Sequence, residues 1–161
     1  MLHFEYVGIV LIILTMIVLF KRNKIGKKTL KLAGLGFVLS FTWEMFHYIT
    51  DIVQPTEECS KIGYSLSHAF YDMIVFLALS GIAALIFGTK ALFSLDKRVL
   101  LFYLVVGLTQ EWIVEEIFGN GNVWTYEVRW WNPKLGKHTI VPFLEWIIFP
   151  FLYWYLSSVK M

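Results

Sequence analysis

The chain has 161 residues, of which 58% are hydrophobic and 18% aromatic, with a mean hydropathy of +0.65 and a net charge of +2. This composition is too apolar for an ordinary soluble domain of this length, and it predicts an integral membrane protein. The small net charge and the lack of a basic, aromatic-rich stretch exclude nucleic acid as an expected partner. The single cysteine, Cys59, cannot form an internal disulfide and is assigned no role.

Five apolar runs each have about the 20 residues that a helix needs to cross the hydrocarbon core of a bilayer. They cover residues 4–20, 30–50, 65–87, 99–118 and 140–159, and together they nearly exhaust the chain. The expected fold class is therefore all-α: a single transmembrane domain over residues 1–161, built as an integral membrane bundle of five transmembrane helices.

The basic residues predict how this bundle is oriented. A dense basic stretch at residues 21–28 follows the first run, and no Lys or Arg precedes that run, which is the reverse of the charge order in a cleaved signal peptide. Ten of the 14 Lys and Arg residues fall on the same side of the bundle as this stretch. Because Lys and Arg collect on the cytoplasmic side, we expect a multi-pass protein of the cell membrane with its N-terminus outside.

The second and third runs carry polar side chains near their outer ends. Glu44 and His47 are three residues apart in the second run, and His68 and Asp72 are four apart in the third. Residues at these spacings share one face of a helix. Each of these two helices is therefore expected to present an acid and a histidine to the same neighbour.

The fourth run is aliphatic until residues 110–116, where three glutamates occur. Glu111 and Glu115 share a helical face, whereas Glu116 is rotated about 100° from Glu115 and is interpreted as solvated. The fifth run has Glu145 near its start. An acid at membrane depth costs at least ~2.5–3.5 kcal/mol, so such residues are candidates for function.

Alternating the direction of the helices places four acids at one depth. At 1.5 Å per residue, Glu44, Asp72, Glu111 and Glu145 lie roughly 9, 10, 10 and 8 Å from the outer ends of their runs. This agreement predicts a shared polar site in the outer half of the bundle. The alternative is a set of separate side chains that reach the headgroups independently.

One interpretation of the shared site is the proton-driven rearrangement of an isoprenoid or polyprenoid by a cyclase or isomerase. A carboxylic acid among apolar walls stays protonated near neutral pH and can protonate an alkene. Aromatic faces stabilise the carbocation, and a carboxylate base then removes a proton. We expect Glu145 and Glu111 to be the donor and its partner, with Asp72 and Glu44 as base or support. The expected substrate-binding residues are Trp43, Phe46, His47, His68, Tyr71, Trp112, Trp146 and Phe149, of which the two histidines orient the acids.

Two alternatives stay open. The spacing Glu44-x-x-His47 matches an element of di-iron carboxylate bundles, and a metal-dependent membrane enzyme would use Glu44, His47, His68, Asp72 and Glu115. A non-enzymatic receptor or carrier would bind a lipid-soluble ligand in the same pocket. The leading interpretation needs no cofactor. Its partners are a lipid-soluble small molecule and membrane lipids, and a homo-oligomer is left open.

The loop between the fourth and fifth runs is rich in aromatic residues. It contains Trp124, Tyr126, Trp130 and Trp131. Trp and Tyr are enriched at membrane interfaces, so the loop is interpreted either as part of an interfacial belt or as a lid over the pocket.

A family resemblance covers residues 119–150. Trp124, Asn132-Pro133 and Gly136 precede Pro142-Phe143-Leu144-Glu145-Trp146. This arrangement resembles small membrane lycopene cyclase domains of the heterodimeric or fused type, whose helix starts Pro-x-Glu-Glu. Glu145 takes the place of the second Glu of that motif, and Leu144 replaces the first. The Trp43-Glu44 pair is also similar to membrane terpene cyclases and to emopamil-binding-protein-type isomerases. The resemblance implies carbocation chemistry.

Overall fold

The computed structural model describes residues 4–23, 25–55, 60–119 and 124–160. Its helices are α1 (Phe4–Lys21), α2 (Lys27–Thr50), α3 (Lys61–Phe87), α4 (Thr89–Leu92), α5 (Lys97–Ile117) and α6 (Val141–Lys160). The prediction of an all-α fold is confirmed. The five long helices begin and end within a few residues of the apolar runs, and α4 is a single unpredicted turn between α3 and α5. Cys59 lies outside the described residues.

Among the described residues, one helix, α3, is long and apolar enough to cross a membrane. A shorter apolar stretch, Val7–Lys21, lies within α1. The bundle of five spans, with its N-terminus outside, stays a prediction.

Several helices begin at a side chain that accepts a hydrogen bond from the first turn. Ser60 does this for α3, and Asp96 does it for α5. Helix α6 uses a residue from the preceding loop, because Oδ1 of Asn132 accepts a hydrogen bond from the backbone N–H of Val141 at 3.0 Å. Each acceptor satisfies a backbone donor that the helix itself leaves unpaired.

An aromatic layer fills the bundle between α3, α5 and α6. The ring of Phe76 stacks on Trp146 and on Tyr153, with centroid distances of 5.1 and 4.7 Å. The hydroxyl of Ser80 lies 3.0 Å from that of Tyr103 and 3.1 Å from that of Tyr153. These contacts fix the three helices to one another, and they bury the polar ends of both tyrosines in a satisfied network.

Two loops form a short antiparallel ribbon at the end of the bundle where α2 ends and α3 begins. Strand β1 (Val53–Pro55) follows α2 and runs antiparallel to β2 (Trp124–Tyr126), with Val53 opposite Tyr126. A second antiparallel pair joins β3 (Lys134–Leu135) to β4 (His138–Thr139). The sequence did not predict these strands. The pairing of β1 with β2 covers the end of the bundle at which the acids lie.

Candidate functional site

A cavity of about 400 Å³ lies between the helices beneath the β1–β2 ribbon. It is lined by Glu44 of α2; Tyr64, Ser67, His68, Tyr71, Asp72 and Val75 of α3; Gln110, Glu111, Val114 and Glu115 of α5; Phe118; Trp124 and Tyr126 of β2; and Glu145 of α6. All four acids predicted to share a depth contribute to its wall. Its volume is in the range of small-molecule sites.

Three of these acids form the centre of the site. One carboxylate oxygen each from Glu44, Asp72 and Glu145 lie within 4.8 Å of one another. The side chains of Asp72 and Glu145 are hydrogen-bonded to each other, which requires that one of the two carries a proton. Like charges this close disfavour full ionisation. The three carboxyl groups, from three different helices, therefore have to share protons or a cation.

Some oxygens of this carboxylate triad, defined as Glu44, Asp72 and Glu145, are left without partners. Oε2 of Glu44 and Oε1 of Glu145 are buried and make no hydrogen bond to the described part of the protein. A buried polar atom without a partner is costly. These two oxygens are therefore positioned to meet a proton, a cation or a bound molecule.

Helix α5 adds a second pair of acids, Glu111 and Glu115, both buried in the wall of the cavity. The indole nitrogen of Trp146 lies near the Glu111 carboxyl group without a hydrogen bond of standard geometry. The Glu115 carboxylate accepts a hydrogen bond from Trp124. Sequence reasoning gave Glu115 only to the metal alternative, although its spacing from Glu111 is the signal that places both on the cavity face.

Glu116 lies outside the cavity, as its rotation on α5 predicts. Its Oε1 is 3.1 Å from Nε2 of His138, and its other oxygen forms an ion pair with Lys137. These contacts tie the end of α5 to the loop that leads into α6. Glu116 therefore has a structural role outside the cavity.

Aromatic side chains from the ribbon and from α3 close the cavity above the acids. The His68 ring stacks on Tyr64 with a centroid distance of 4.1 Å and meets the edge of Trp124 at 4.9 Å. Burial, followed by the neighbouring Tyr64 and acids, raises the pKa of the Tyr126 hydroxyl well above its usual range, so it stays a neutral donor. Trp130 is 92% exposed. The loop therefore contributes both a lid, through Trp124 and Tyr126, and an exposed aromatic.

Of the eight residues predicted to bind substrate, His68 and Tyr71 line the cavity. Trp146 and Phe149 instead lie in the buried core cluster below it. Trp112 is 51% exposed and packs against His138 and Phe143. It follows Glu111 directly, so the helical rotation that turns Glu111 inward turns Trp112 outward.

The remaining three predicted residues form a cluster beside the cavity. The Trp43 ring contacts Phe46, His47 and Phe149 at centroid distances of 5.3, 5.2 and 5.5 Å. His47 is buried with Nδ1 3.6 Å from Oε1 of Glu44, and neither ring nitrogen has a hydrogen-bond partner in the described chain. This cluster packs against the back of Glu44 rather than lining the site.

Sequence reasoning left out several lining residues. Tyr64, Ser67 and Val75 share the face of His68 and Asp72 at helical spacing, as Gln110 and Val114 do with the α5 acids, so periodicity alone was a usable signal. Trp124 and Tyr126 were named only as members of an aromatic loop that forms either an interfacial belt or a lid, and they reach the cavity through the pairing of β2 with β1.

The charge of the lining has one sign. It includes Glu44, Asp72, Glu111, Glu115 and Glu145, and no Lys or Arg is among the described residues that line the cavity. Such a site can store and transfer protons, bind a metal cation or bind a cationic molecule.

Comparisons of the chain with protein-family models, with curated proteins and with solved structures gave no match. The resemblance of residues 119–150 to lycopene cyclase domains stays a prediction. The cavity is therefore the basis for assigning a function.

Proposed function

We propose that this chain is a multi-pass membrane protein that binds a lipid-soluble isoprenoid or polyprenoid and cyclises or isomerises it by proton transfer. The observation that carries the proposal is the carboxylate triad, whose oxygens lie within 4.8 Å of one another in a cavity with aromatic walls. Acids that share protons, beside rings that stabilise a cation, are the two requirements of alkene protonation chemistry.

Placement in a membrane is supported by the outer surface of the bundle. Large apolar side chains are exposed on every long helix, among them Leu85 on α3 at 88%, Ile49 on α2, Leu101 on α5 and Ile147 on α6. Soluble monomers rarely expose contiguous apolar patches of more than a few hundred Å². Lipid is the solvent that such a surface fits, and it is also the source of an isoprenoid substrate.

The reaction proceeds without oxidation or reduction. A protonated carboxyl group of the triad, which we assign to Glu145, transfers its proton to one carbon of a double bond. The π electrons form the new C–H bond and leave a cation on the adjacent carbon. In an isomerase, loss of a proton from the far side of that cation forms a shifted double bond. In a cyclase, a second double bond attacks the cation first.

The other acids receive the proton and balance the charge. Asp72, hydrogen-bonded to Glu145, is placed to accept this proton from the base and pass it on to the donor after each turnover. Glu111 and Glu115 line the cavity from α5 and supply a base away from the donor. The rings of Tyr64, His68 and Trp124 replace Trp112, Trp146 and Phe149 as the aromatic surface that faces the cation.

The test is deuterium incorporation in lipid vesicles. The purified protein, reconstituted in phosphatidylcholine, is incubated in D₂O with a linear polyene such as lycopene and with shorter isoprenoid alkenes, and products are analysed by mass spectrometry. We expect a product isomer or ring that carries deuterium, and its loss in the Glu145→Gln and Asp72→Asn variants. Glu116→Gln is the matched control, because this acid lies outside the cavity. A well-folded Glu145→Gln variant with full conversion would refute the proposal.

A metal-dependent enzyme is the second candidate, because three close carboxylates, two of which have an unpartnered oxygen, also form a cation site. The residues that would bind the metal differ from those expected from the sequence. Glu145 joins Glu44 and Asp72. His68 and Glu115 line the same cavity, whereas His47 lies outside it. Elemental analysis decides, since this candidate requires near-stoichiometric metal that is lost in Glu145→Gln but kept in Glu116→Gln. A lipid-soluble compound that co-purifies and stays unconverted would instead indicate the non-enzymatic carrier.

A further inference from the structure

The cavity lining reaches the surface of the described protein in one direction. Of its residues, Tyr71 and Phe118 are exposed, at 63% and 45%, and they belong to α3 and to the end of α5. Ser67, Val75, Gln110 and Val114, on the same two helices, are half-buried. The exposed lining therefore lies along the line where α3 faces α5.

The other walls are closed by buried side chains. Glu44 and Glu145 are the contributions of α2 and α6, and both are buried. Trp124, also buried, covers the site from the ribbon. At the inner end, the stacked rings of Phe76 and Trp146 follow directly after Val75 and Glu145 in the chain.

The two helices that flank the opening are tied together further inward. The hydroxyl groups of Ser80 on α3 and Tyr103 on α5 are 3.0 Å apart, at the level of the aromatic layer. This bond fixes the inner halves of α3 and α5. The outer halves, around Val75 and Val114, line the cavity, and each of these two half-buried valines also packs against a buried apolar cluster beside it.

We infer that the gap between α3 and α5 is a lateral mouth through which the apolar tail of an elongated, uncharged lipid-soluble molecule extends into the bilayer while its reactive end lies against the carboxylate triad. This inference rests on the membrane placement in the proposed function. The cavity volume of about 400 Å³ lies in the lower part of the usual range for small-molecule pockets and accommodates a drug-sized group. A long isoprenoid therefore has to leave part of its chain outside, and the mouth is its exit.

The test uses photolabelling in phosphatidylcholine vesicles with a linear isoprenoid hydrocarbon that carries a diazirine in the middle of its chain. We expect labelled peptides from residues 67–75 and 110–118. Val75→Trp and Val114→Trp fill the mouth and should lower this labelling by about tenfold, which corresponds to ~1.4 kcal/mol of binding free energy. Ile74→Trp and Ile113→Trp are matched controls, because each is the exposed neighbour of a lining valine and should label normally.

A chemical measurement keeps the inference testable if the tryptophan variants fail to fold. Cys59 is the only cysteine, so a Cys59→Ser, Ser67→Cys protein has a single thiol in the mouth. A long-chain alkyl maleimide delivered through the bilayer should react with it faster than a sulfonated, water-soluble maleimide. The opposite order of rates would overturn the lateral mouth.

The outcomes separate this inference from the proposed reaction. Labelling that depends on Val75 and Val114, without any product, supports the mouth and counts against the chemistry. Product formed at the normal rate by a folded Val75→Trp, Val114→Trp protein overturns the mouth and leaves the chemistry standing. Labelling spread equally over all five long helices also overturns the mouth.

Discussion

The indole nitrogen of Trp124 donates a hydrogen bond to Oε1 of Glu115 across 3.1 Å, and both side chains are buried. This bond connects a loop strand to the acid wall of the cavity. Because Trp124 lies opposite Pro55 in the ribbon, the same contact also fixes strand β1. This bond, together with the hydrogen bond between Tyr126 and Glu115, holds the lid over the site.

Replacing Trp124 by Phe should loosen this lid. The variant keeps an aromatic ring and leaves a buried Glu115 oxygen without its donor, which costs about 1–3 kcal/mol of the free energy of unfolding. Denaturant unfolding in detergent, followed by circular dichroism, measures the change. Trp130→Phe is the control, because that ring is exposed and should have little effect on stability. Equal stability of both variants would show that the bond does not hold the lid.

Gly107 should tolerate no side chain. A Cβ at this position would overlap the six-membered ring of Trp146 on α6, so Gly107→Ala should push the two helices apart and destabilise the protein by ~1–3 kcal/mol. Gly81→Ala is the matched control, since a Cβ there meets nothing within 4 Å. That substitution should stabilise α3 by about 0.5–1 kcal/mol, because alanine favours a helix over glycine. Thermal unfolding compares the two, and a change of the same sign in both would contradict the packing described.

Ser80 should matter more than its size suggests. Its hydroxyl serves both Tyr103 and Tyr153 and also donates to the carbonyl of Phe76 at 2.8 Å. Ser80→Ala leaves two buried phenols short of a partner, which should lower the free energy of unfolding by about 1–3 kcal/mol. The double variant Ser80→Ala, Tyr153→Phe should recover part of the loss, because it removes one orphaned hydroxyl. A double-mutant cycle measures the coupling, and strict additivity would argue against a shared network.

Asn132 should be required for the start of α6. Its amide donates to the carbonyl of Glu127 at 2.8 Å, and its oxygen accepts from Val141. Asn132→Ala removes both bonds from a fully buried position and should cost about 1–3 kcal/mol. Hydrogen exchange should then show faster opening of the amide of Val141, whereas the exposed Lys134→Ala variant leaves it unchanged. Unaltered protection of Val141 would disprove the capping role.

The elements of this fold that the sequence predicts are those controlled by local patterns. Run length and apolarity located the five long helices. The positions of Glu44, Asp72, Glu111 and Glu145 in their runs predicted that these acids share one site, because each helix rises by a fixed distance per residue and so places all four at one depth. The prediction that aromatic residues next to the acids in sequence also line the cavity was wrong for Trp112 and Trp146. Each directly follows a cavity acid, and the helical rotation turns it to another face.

The ribbon could not be predicted for a different physical reason. Its strands are three residues long and come from loops separated by α3, α4 and α5. Their pairing is decided by the packing of the helices that carry them, and no periodic pattern in so few residues announces it. The aromatic content of the loop suggested a lid as one of two interpretations, but the pairing decides which of its aromatic residues, Trp124 and Tyr126, reach the site.

The division of the carboxylate triad among α2, α3 and α6 has a consequence for biosynthesis. Glu44 and Asp72 leave the ribosome well before Glu145, which belongs to the last helix. The earlier helices therefore fold without the third carboxyl group, and the packing of α6 is the step that completes the triad. Chains that end before α6 lack Glu145, so Asp72 loses its hydrogen-bond partner in the triad.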